Sequence, residues 1–220
     1  MKRALIIGAS GGIGAAVCSQ LSERQCTVVG LSRNKDDLDI TDRASVDRVL
    51  GNLEGTFDFI LIATGILAPA GGAPEKSLEQ VDATAMQTVI AANVIGPALV
   101  LRHVTRLLPK DGRAVVATLT ARVGSITDNH LGGWYSYRAS KAAANQVVRT
   151  AAIEIGRRRK DAIVVALHPG TVATRFTEAF KGHDKVTPES AATNLLAVAD
   201  GLTRDDTGKF FDWKAEEVPW

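Results

Sequence analysis

The sequence predicts an α/β protein: a doubly wound parallel sheet with helices on both faces, built as one domain over residues 1–220. Three observations predict it. Short apolar runs alternate with longer helical patterns along all 220 residues, the order that parallel strands joined by crossover helices produce. The first apolar run passes through a glycine-rich turn straight into a helix. With 45% hydrophobic residues the chain can bury a sizeable core, and its length suits one domain without a repeat, a low-complexity tract or a linker.

The elements follow in order. Ala4-Leu5-Ile6-Ile7 marks a strand over 3–7, and Ala15-Ala16-Val17 opens a helix over 12–24. A second strand spans 26–31. Asp36-Asp37-Leu38-Asp39-Ile40 stands third in strand order, but it is short and acidic and gives that strand the least support. A helix over 43–51 and a strand over 58–63 come next. The pattern over 79–108 is one long helix, interrupted by Asn93 and by Gly96-Pro97. Strands over 113–119 and 163–167 flank a helix over 135–157. A helix over 188–200 and a last strand near 209–212 close the chain. The Gly/Pro-rich stretch 68–74 and the region 174–187 are loops beyond the C-terminal ends of strands, the edge at which open α/β sheets bind ligands.

Two motifs carry chemistry. In the first, Gly8-Ala9-Ser10-Gly11-Gly12-Ile13-Gly14 joins a strand to a helix. Glycines there let the backbone come close to a pyrophosphate, whose charge is favoured at a helix N-terminus. In the second, Tyr137-Arg138-Ala139-Ser140-Lys141 puts a phenol and an ammonium four residues apart on one helical face. A site that binds a dinucleotide and a pair that can move a proton together point to hydride transfer.

With these residues in hand the chain resembles the short-chain dehydrogenase/reductase family, and its small C-factor-like and sniffer-like carbonyl reductases in particular. The resemblance spans nearly the whole chain. It rests on Gly8-x-x-x-Gly12-x-Gly14, Asp39-Ile40, Ala63-Thr64-Gly65, Asn93, Tyr137-x-x-x-Lys141 and Pro169-Gly170-Thr171-Val172-x-Thr174. It implies a Rossmann fold and binding of the cofactor by Gly8, Ser10, Gly11, Gly12, Ile13, Gly14, Ala63, Thr64, Gly65, Pro169, Gly170, Val172 and Thr174, with Tyr137 and Lys141. It also implies that Lys141 hydrogen-bonds the nicotinamide ribose. Asn93 would order a water in a proton relay to that lysine. Asp39 and Ile40 would contact adenine, although Asp39 serves equally well as a helix cap near Thr41. In larger relatives the two helices over 79–108 and 135–157 form a four-helix dimer interface, so the resemblance suggests a homodimer. Arg102, Arg106, Arg138 and Arg149 make parts of those helices polar.

Carbonyl reduction needs a hydride donor, a proton donor and stabilisation of the developing alkoxide. Tyr137 is the proton donor by this reading, and the Lys141 cation should lower the phenol's pKa from its ordinary value of about 10. Tyr135 has Ala139 four residues on and reads as a pocket wall with Trp134. An Asn in an apolar helix interior, as at position 93, competes with backbone hydrogen bonds and suits a kink. The family's Ser-x-x-Gly is altered: Ala121 stands at the serine position in Thr120-Ala121-Arg122-Val123-Gly124-Ser125. Thr120 at the strand end is the preferred hydroxyl donor, with Ser125 the alternative. The loop after Thr174 offers Phe176, Phe180 and His183 but no fixed anchor for a charged substrate.

Cofactor choice is read at the end of the second strand. An Asp or Glu there would accept from a ribose 2′-hydroxyl. The chain has Ser32-Arg33 instead and no carboxylate until Asp36, which suits a 2′-phosphate and NADP(H) over NAD(H). The formal charge of +2, from 26 basic and 24 acidic residues, gives no footprint for nucleic acid or an anionic membrane. The basic run Arg157-Arg158-Arg159-Lys160 reads as a solvated helix end favoured by the helix dipole. No segment reads as a membrane span. Cys18 and Cys26 form neither a zinc pattern nor a disulfide framework. His168 lacks neighbouring ligands for a metal and reads as a packed residue at a strand end. A cytoplasmic setting follows. The expected function is NADPH-dependent reduction of a small aldehyde, ketone or quinone. The alternative is a dinucleotide-binding signalling or regulatory protein with little turnover.

Overall fold

The computed structural model describes residues 1–178 and 184–220. Phe180 and His183, named above as loop residues, lie outside the described residues. Six strands, β1 (Arg3–Ile7), β2 (Thr27–Leu31), β3 (Phe59–Ile62), β4 (Ala114–Leu119), β5 (Ala162–His168) and β6 (Phe210–Asp212), form one parallel sheet in the order β2-β1-β3-β4-β5-β6. Successive strand residues point to opposite faces, so each strand feeds two cores. Leu5, Ile7, Ile60, Ile62, Val116 and Val164 pack with helices α3 (Arg43–Gly51), α5 (Gly96–Leu107) and α6 (Tyr135–Arg158). Ala4, Ile6, Phe59, Leu61, Val115 and Val165 pack with α1 (Gly12–Glu23) and α7 (Pro188–Gly201). This is the doubly wound sheet the sequence predicts.

The chain reverses its direction of travel between β1 and β3, which lie side by side with β2 outside β1. A crevice opens at such a switch point, above the C-terminal strand ends. The turn after β1 enters it through Gly8, whose φ of +92° is left-handed. A Cβ on Gly8 would lie 2.8 Å from the carbonyl oxygen of Ala63 at the end of β3. Glycine therefore both permits the backbone conformation and lets the two strand ends close up.

Two elements differ from the sequence expectation. No strand forms over 36–40. Instead α2 (Arg33–Asp36) makes one helical turn and Asp37 adopts a left-handed conformation. The backbone groups that a sheet would pair are met by α3: Ser45 Oγ donates to the Asp37 carbonyl and accepts from the Asp39 amide, and Arg48 donates to the Asp37 carbonyl. With only Leu38 buried, the segment has too little apolar surface to hold a strand at the sheet edge.

The long helix predicted over 79–108 begins later. A short 3₁₀ turn at Leu78–Gln80 and an extended Val81 precede α4 (Ala83–Ile90), which is capped by the Asp82 carboxylate accepting from the Ala85 amide at 2.8 Å. A π-helical turn at Ala91–Ile95 then joins α4 to α5. The stretch Ala83–Leu107 is long and apolar enough to cross a membrane, with a mean hydropathy of 1.5, which corrects the expectation that no segment approaches a span. In the fold this stretch is a layer helix. Val100, Val104 and Leu107 are buried on the sheet. Arg102 and His103 reach Asp47 on α3, and Arg106 donates to the carbonyls of Leu50 and Leu53.

Candidate active site

A cleft of about 920 Å³ lies over the C-terminal ends of the strands. Ser10 to Gly14, Ala63 to Gly65, Thr120, Tyr137, Lys141, Pro169, Gly170, Val172 and Thr174 all line it. The sequence-predicted residues on the turn after β1, the β3 end, the β4 end, α6 and the loop after β5 thus converge on one space. Gly8 lies beneath the turn, donating to the Leu31 carbonyl at 2.8 Å. Ser125 is buried outside the cleft, where its hydroxyl accepts from the Asp128 amide at 3.1 Å. Tyr135 is not among the lining residues, so the pocket wall expected of it falls to Trp134 and Phe176.

One end of the cleft is an anion cradle. No side chain caps α1 at Gly11, so the amides of its first turn, Gly12 to Gly14, face the cleft without intrahelical partners. The helix can approach so closely because Gly14 has no Cβ: one would stand 2.2 Å from the Gly8 carbonyl oxygen. Gly12 likewise lies against Thr174, whose methyl carbon would be 2.6 Å from an added Cβ. These features fit the pyrophosphate of a dinucleotide. Asp39 and Ile40, expected to contact adenine, are not among the residues lining the cleft. Asp39 accepts from the Thr41 hydroxyl and amide at 2.7 and 2.9 Å, which hold its carboxyl below the usual range with help from the Arg33 charge. Asp39 is therefore not the helix cap: Asp42 caps α3, accepting from the Ala44 and Ser45 amides, and the Asp39 carboxylate closes a local turn on Thr41. The Ile40 side chain lies on Gly96, where an added Cβ would come within 2.6 Å of it.

Ser32 also differs from expectation. Its amide and hydroxyl donate to the Asp36 carboxylate at 2.8 and 3.3 Å. One turn of α2 therefore carries Asp36 back to the end of β2, where the sequence alone shows no carboxylate. Arg33 is exposed, and its side chain makes no ion pair among the described residues.

The other end of the cleft holds the phenol and the ammonium. Tyr137 is 5% exposed, with its ring 6.1 Å from that of Trp134 and 5.8 Å from that of Phe176. Lys141 Nζ lies 5.7 Å from the Tyr137 ring centre and donates to the Leu119 carbonyl at 3.2 Å. Burial dominates both groups. It pushes the Tyr137 phenol above its ordinary value and the Lys141 ammonium down to about 8. The lowering of the phenol's pKa expected from Lys141 is not seen; burial alone sets the direction of the Tyr137 shift. The Thr120 hydroxyl is buried in the floor and has no hydrogen-bond partner among the described residues.

Asn93 explains the π-turn. Its Oδ1 accepts from the Ile66 amide at 2.8 Å, while its Nδ2 donates to the Ile66 carbonyl at 2.8 Å and to the Ser140 hydroxyl at 3.0 Å. The extra residue in the turn turns this amide towards α6 and the loop after β3. A Cβ on Gly65 would sit 3.1 Å from Asn93 Oδ1 and 3.3 Å from Lys141 Nζ, so glycine there lets the loop lie directly against both.

Sequence reasoning missed Glu75. It is 7% exposed, and its carboxylate accepts from the Ser136 amide at 3.2 Å and from the Ser136 hydroxyl. Its carbonyl accepts from the Trp134 amide. Trp134 precedes α6 in a left-handed conformation with no side-chain cap of its own. Glu75 supplies the cap from the loop after β3, one residue from Tyr137. Asn93 and Glu75 therefore fasten both ends of that loop to α6.

Comparison with known proteins gives the family and the fold. The family model described as short chain dehydrogenase matches residues 2–185. The chain is 32% identical over 227 residues to 1-hydroxy-2-glutathionyl-2-methyl-3-butene dehydrogenase of Rhodococcus sp. (strain AD45), with 96% of each covered. It is 36% identical over 145 residues to C-signal of Myxococcus xanthus, covering 66% of this chain and 84% of that one. Its fold is similar to the NADPH-bound carbonyl reductase from chicken fatty liver, with a TM-score of 0.86, 23% identity, and 100% of this chain and 99% of that one covered. It is also similar to the carbonyl reductase Sniffer of D. melanogaster, with a TM-score of 0.85, 19% identity and 100% of both covered.

Proposed function

This chain belongs to the short-chain dehydrogenase family, and from that premise we propose that it is an NADPH-dependent reductase of a small aldehyde, ketone or quinone, with Tyr137 as the proton donor. The observation that carries the reading is the floor of the cleft. A buried phenol, a buried ammonium and a buried unpartnered hydroxyl, those of Tyr137, Lys141 and Thr120, open into a space that continues to an uncapped helix N-terminus.

A nicotinamide cofactor, when bound, supplies the hydride. Ser10 to Gly14 hold its pyrophosphate through backbone amides, and Ala63 to Gly65 close over the adenine ribose. Arg33, exposed and without an ion pair among the described residues, meets the 2′-phosphate. The substrate carbonyl enters between Trp134 and Phe176. Tyr137 gives its phenolic proton to the carbonyl oxygen as negative charge develops there. A phenol is already protonated at neutral pH, and burial keeps it so. Thr120 donates to the same oxygen and stabilises the alkoxide. Lys141, charged below about pH 8, favours the phenolate left behind and holds the nicotinamide ribose. Asn93 keeps the loop after β3 against Lys141, the role we assign it alongside the relay implied by resemblance.

Turnover of aldehydes, ketones and quinones with NADPH tests the reading, and Tyr137→Phe is its control. The panel should include the reverse oxidation of a glutathionyl alcohol, since one relative is named for such a compound. A second reading, a signalling protein with little turnover, is favoured by the likeness to C-signal and by Ala121 at the usual serine position. Tight cofactor binding with no turnover across the panel would select it. We further propose a homodimer and a cytoplasmic setting, the latter in keeping with two free thiols at Cys18 and Cys26.

A further inference from the structure

Three residues lining the cleft carry a buried polar side-chain atom without a hydrogen-bond partner among the described residues: Thr64 and Thr120 at their hydroxyls, and His168 at Nδ1. Thr64 belongs to the turn after β3; the other two lie side by side at the ends of β4 and β5. The sheet register makes these two neighbours. Leu119 on β4 lies opposite Leu167 on β5, and the Thr120 amide donates to the Leu167 carbonyl at 2.8 Å. Thr120, the residue after β4, and His168, the last residue of β5, each directly follow that pair, and neighbouring strands lie about 4.8 Å apart. Both continue the even-numbered row that includes Val116, Val164 and Ala166, all in the core beneath α6. Burial pushes the His168 imidazole down to about 4, against the upward pull of the Asp212 carboxylate and with the downward push of Arg122 and Lys141. At neutral pH the ring is uncharged, and Nδ1, as an N–H or a lone pair according to tautomer, is the atom left to meet a ligand.

The reductase reading places Tyr137 and Thr120 on the reacting oxygen and gives His168 nothing to do. We propose that His168 binds a second oxygen of the substrate, a hydroxyl or carbonyl one or two carbons from the reacting carbonyl, and so selects dioxygenated carbonyl compounds over simple ketones. The distance follows from the strand spacing: a group beside Thr120 by one strand meets the atom next to the reacting centre or the one beyond. A substrate without that oxygen leaves a buried polar atom unmet. The proposal rests on the reductase reading.

The test compares 2,3-pentanedione with 2-pentanone, both with NADPH, in the wild type, His168→Leu and His168→Asn. Melting temperature and NADPH affinity are recorded for each protein. The leucine variant should lose about tenfold or more in kcat/KM for the diketone. It should stay within about threefold for the monoketone, with NADPH affinity unchanged. Asparagine, which restores a polar atom, should recover most of the diketone activity. Equal losses for both ketones, or no loss for either, overturn the proposal while leaving the reductase reading intact. Turnover of neither ketone by the wild type overturns the proposal, and the reductase reading is then decided by the aldehydes and quinones of its own panel. Independently of any variant, 2,3-pentanediol should inhibit 2-pentanone reduction by the wild type about tenfold more tightly than 2-pentanol does; equal inhibition overturns the assignment.

Discussion

The Tyr137 ring is held between Trp134 and Phe176, so Tyr137→Phe removes one oxygen and leaves the packing. Reduction should be lost while NADPH affinity, measured by titration, stays near wild type. Retention of full kcat would refute the proton-donor role. Thr120→Val keeps the shape and removes the donor, and should cost about 10²–10³ in kcat. Ser125→Ala should cost far less, because that hydroxyl faces the Asp128 amide outside the cleft; the reverse ranking would move the role to Ser125. Lys141 carries a pH dependence whose sign can be worked out. Its folded pKa of about 8 lies below the ordinary 10.5, so between those values the folded protein binds fewer protons than the unfolded chain. Its contribution to stability therefore rises with pH across that window. An anionic cofactor beside it should restore the charge. NADPH affinity should weaken as pH rises through about 8, and binding near that pH should take up a proton. Calorimetry in two buffers of different ionisation enthalpy reads that uptake, and its absence would remove Lys141 from the cofactor site. Arg33→Ala should raise KM for NADPH and leave that for NADH nearly unchanged, since the two cofactors differ only at the phosphate. The return of Asp36 to Ser32 sharpens this test, because a carboxylate that the sequence places too far along is in fact at the β2 end. Equal catalytic efficiency with both cofactors would assign the β2 end to a ribose hydroxyl as well.

At the scale of elements, α6 is the one whose placement matters most, and its N-terminus is held by a residue 61 positions away. Glu75→Leu should leave the Ser136 amide and hydroxyl buried without an acceptor, at a cost of about 1–3 kcal/mol in stability. Because Tyr137 follows at once, kcat should fall more than NADPH affinity does. Glu75→Gln, which keeps an acceptor oxygen, should recover most of both. Glutamine and leucine variants that behave alike would reduce Glu75 to a space-filler. Such a pair is invisible in sequence, since neither residue type nor spacing links a loop carboxylate to a helix 61 residues on. The glycine turn and the Tyr137/Lys141 pair were legible for the opposite reason: local backbone geometry and helical spacing impose them within a few residues. The strand expected over 36–40 fails because α3 side chains take over its hydrogen bonds, a tertiary competition that a local reading does not contain. The π-turn at Asn93 was half legible. An amide in an apolar helix signals a distortion, but its partners on Ile66 and Ser140 appear only once the loop and α6 are packed. His168 reads as a packed strand-end residue until the register of β4 and β5 sets it beside Thr120.

Across the whole molecule the sheet divides the labour. The face covered by α1 and α7 brings the uncapped helix terminus to the cleft, and the face covered by α5 and α6 brings the phenol, the ammonium and the amide. The outer side of that second layer bears on assembly. Between α5 and α6 runs a groove of about 330 Å³ lined by Leu101, Thr105, Val147, Ala151 and Ile155, with Arg102 and Glu154 at its margins. Ile153 nearby on α6 is 51% exposed. A groove that is apolar in the middle and carries opposite charges at its rim suits a second copy of the same two helices, each filling the other's groove around a two-fold axis. Arg102 is already drawn inward to Asp47, which leaves the centre less charged than the sequence of α5 implies. The chain should therefore sediment as a dimer at micromolar concentration. Ile153→Arg should shift it to monomer without changing its melting temperature at high dilution, because that side chain is half exposed on the outer side of α6. Sedimentation of the wild type as monomer alone under those conditions would sink the homodimer.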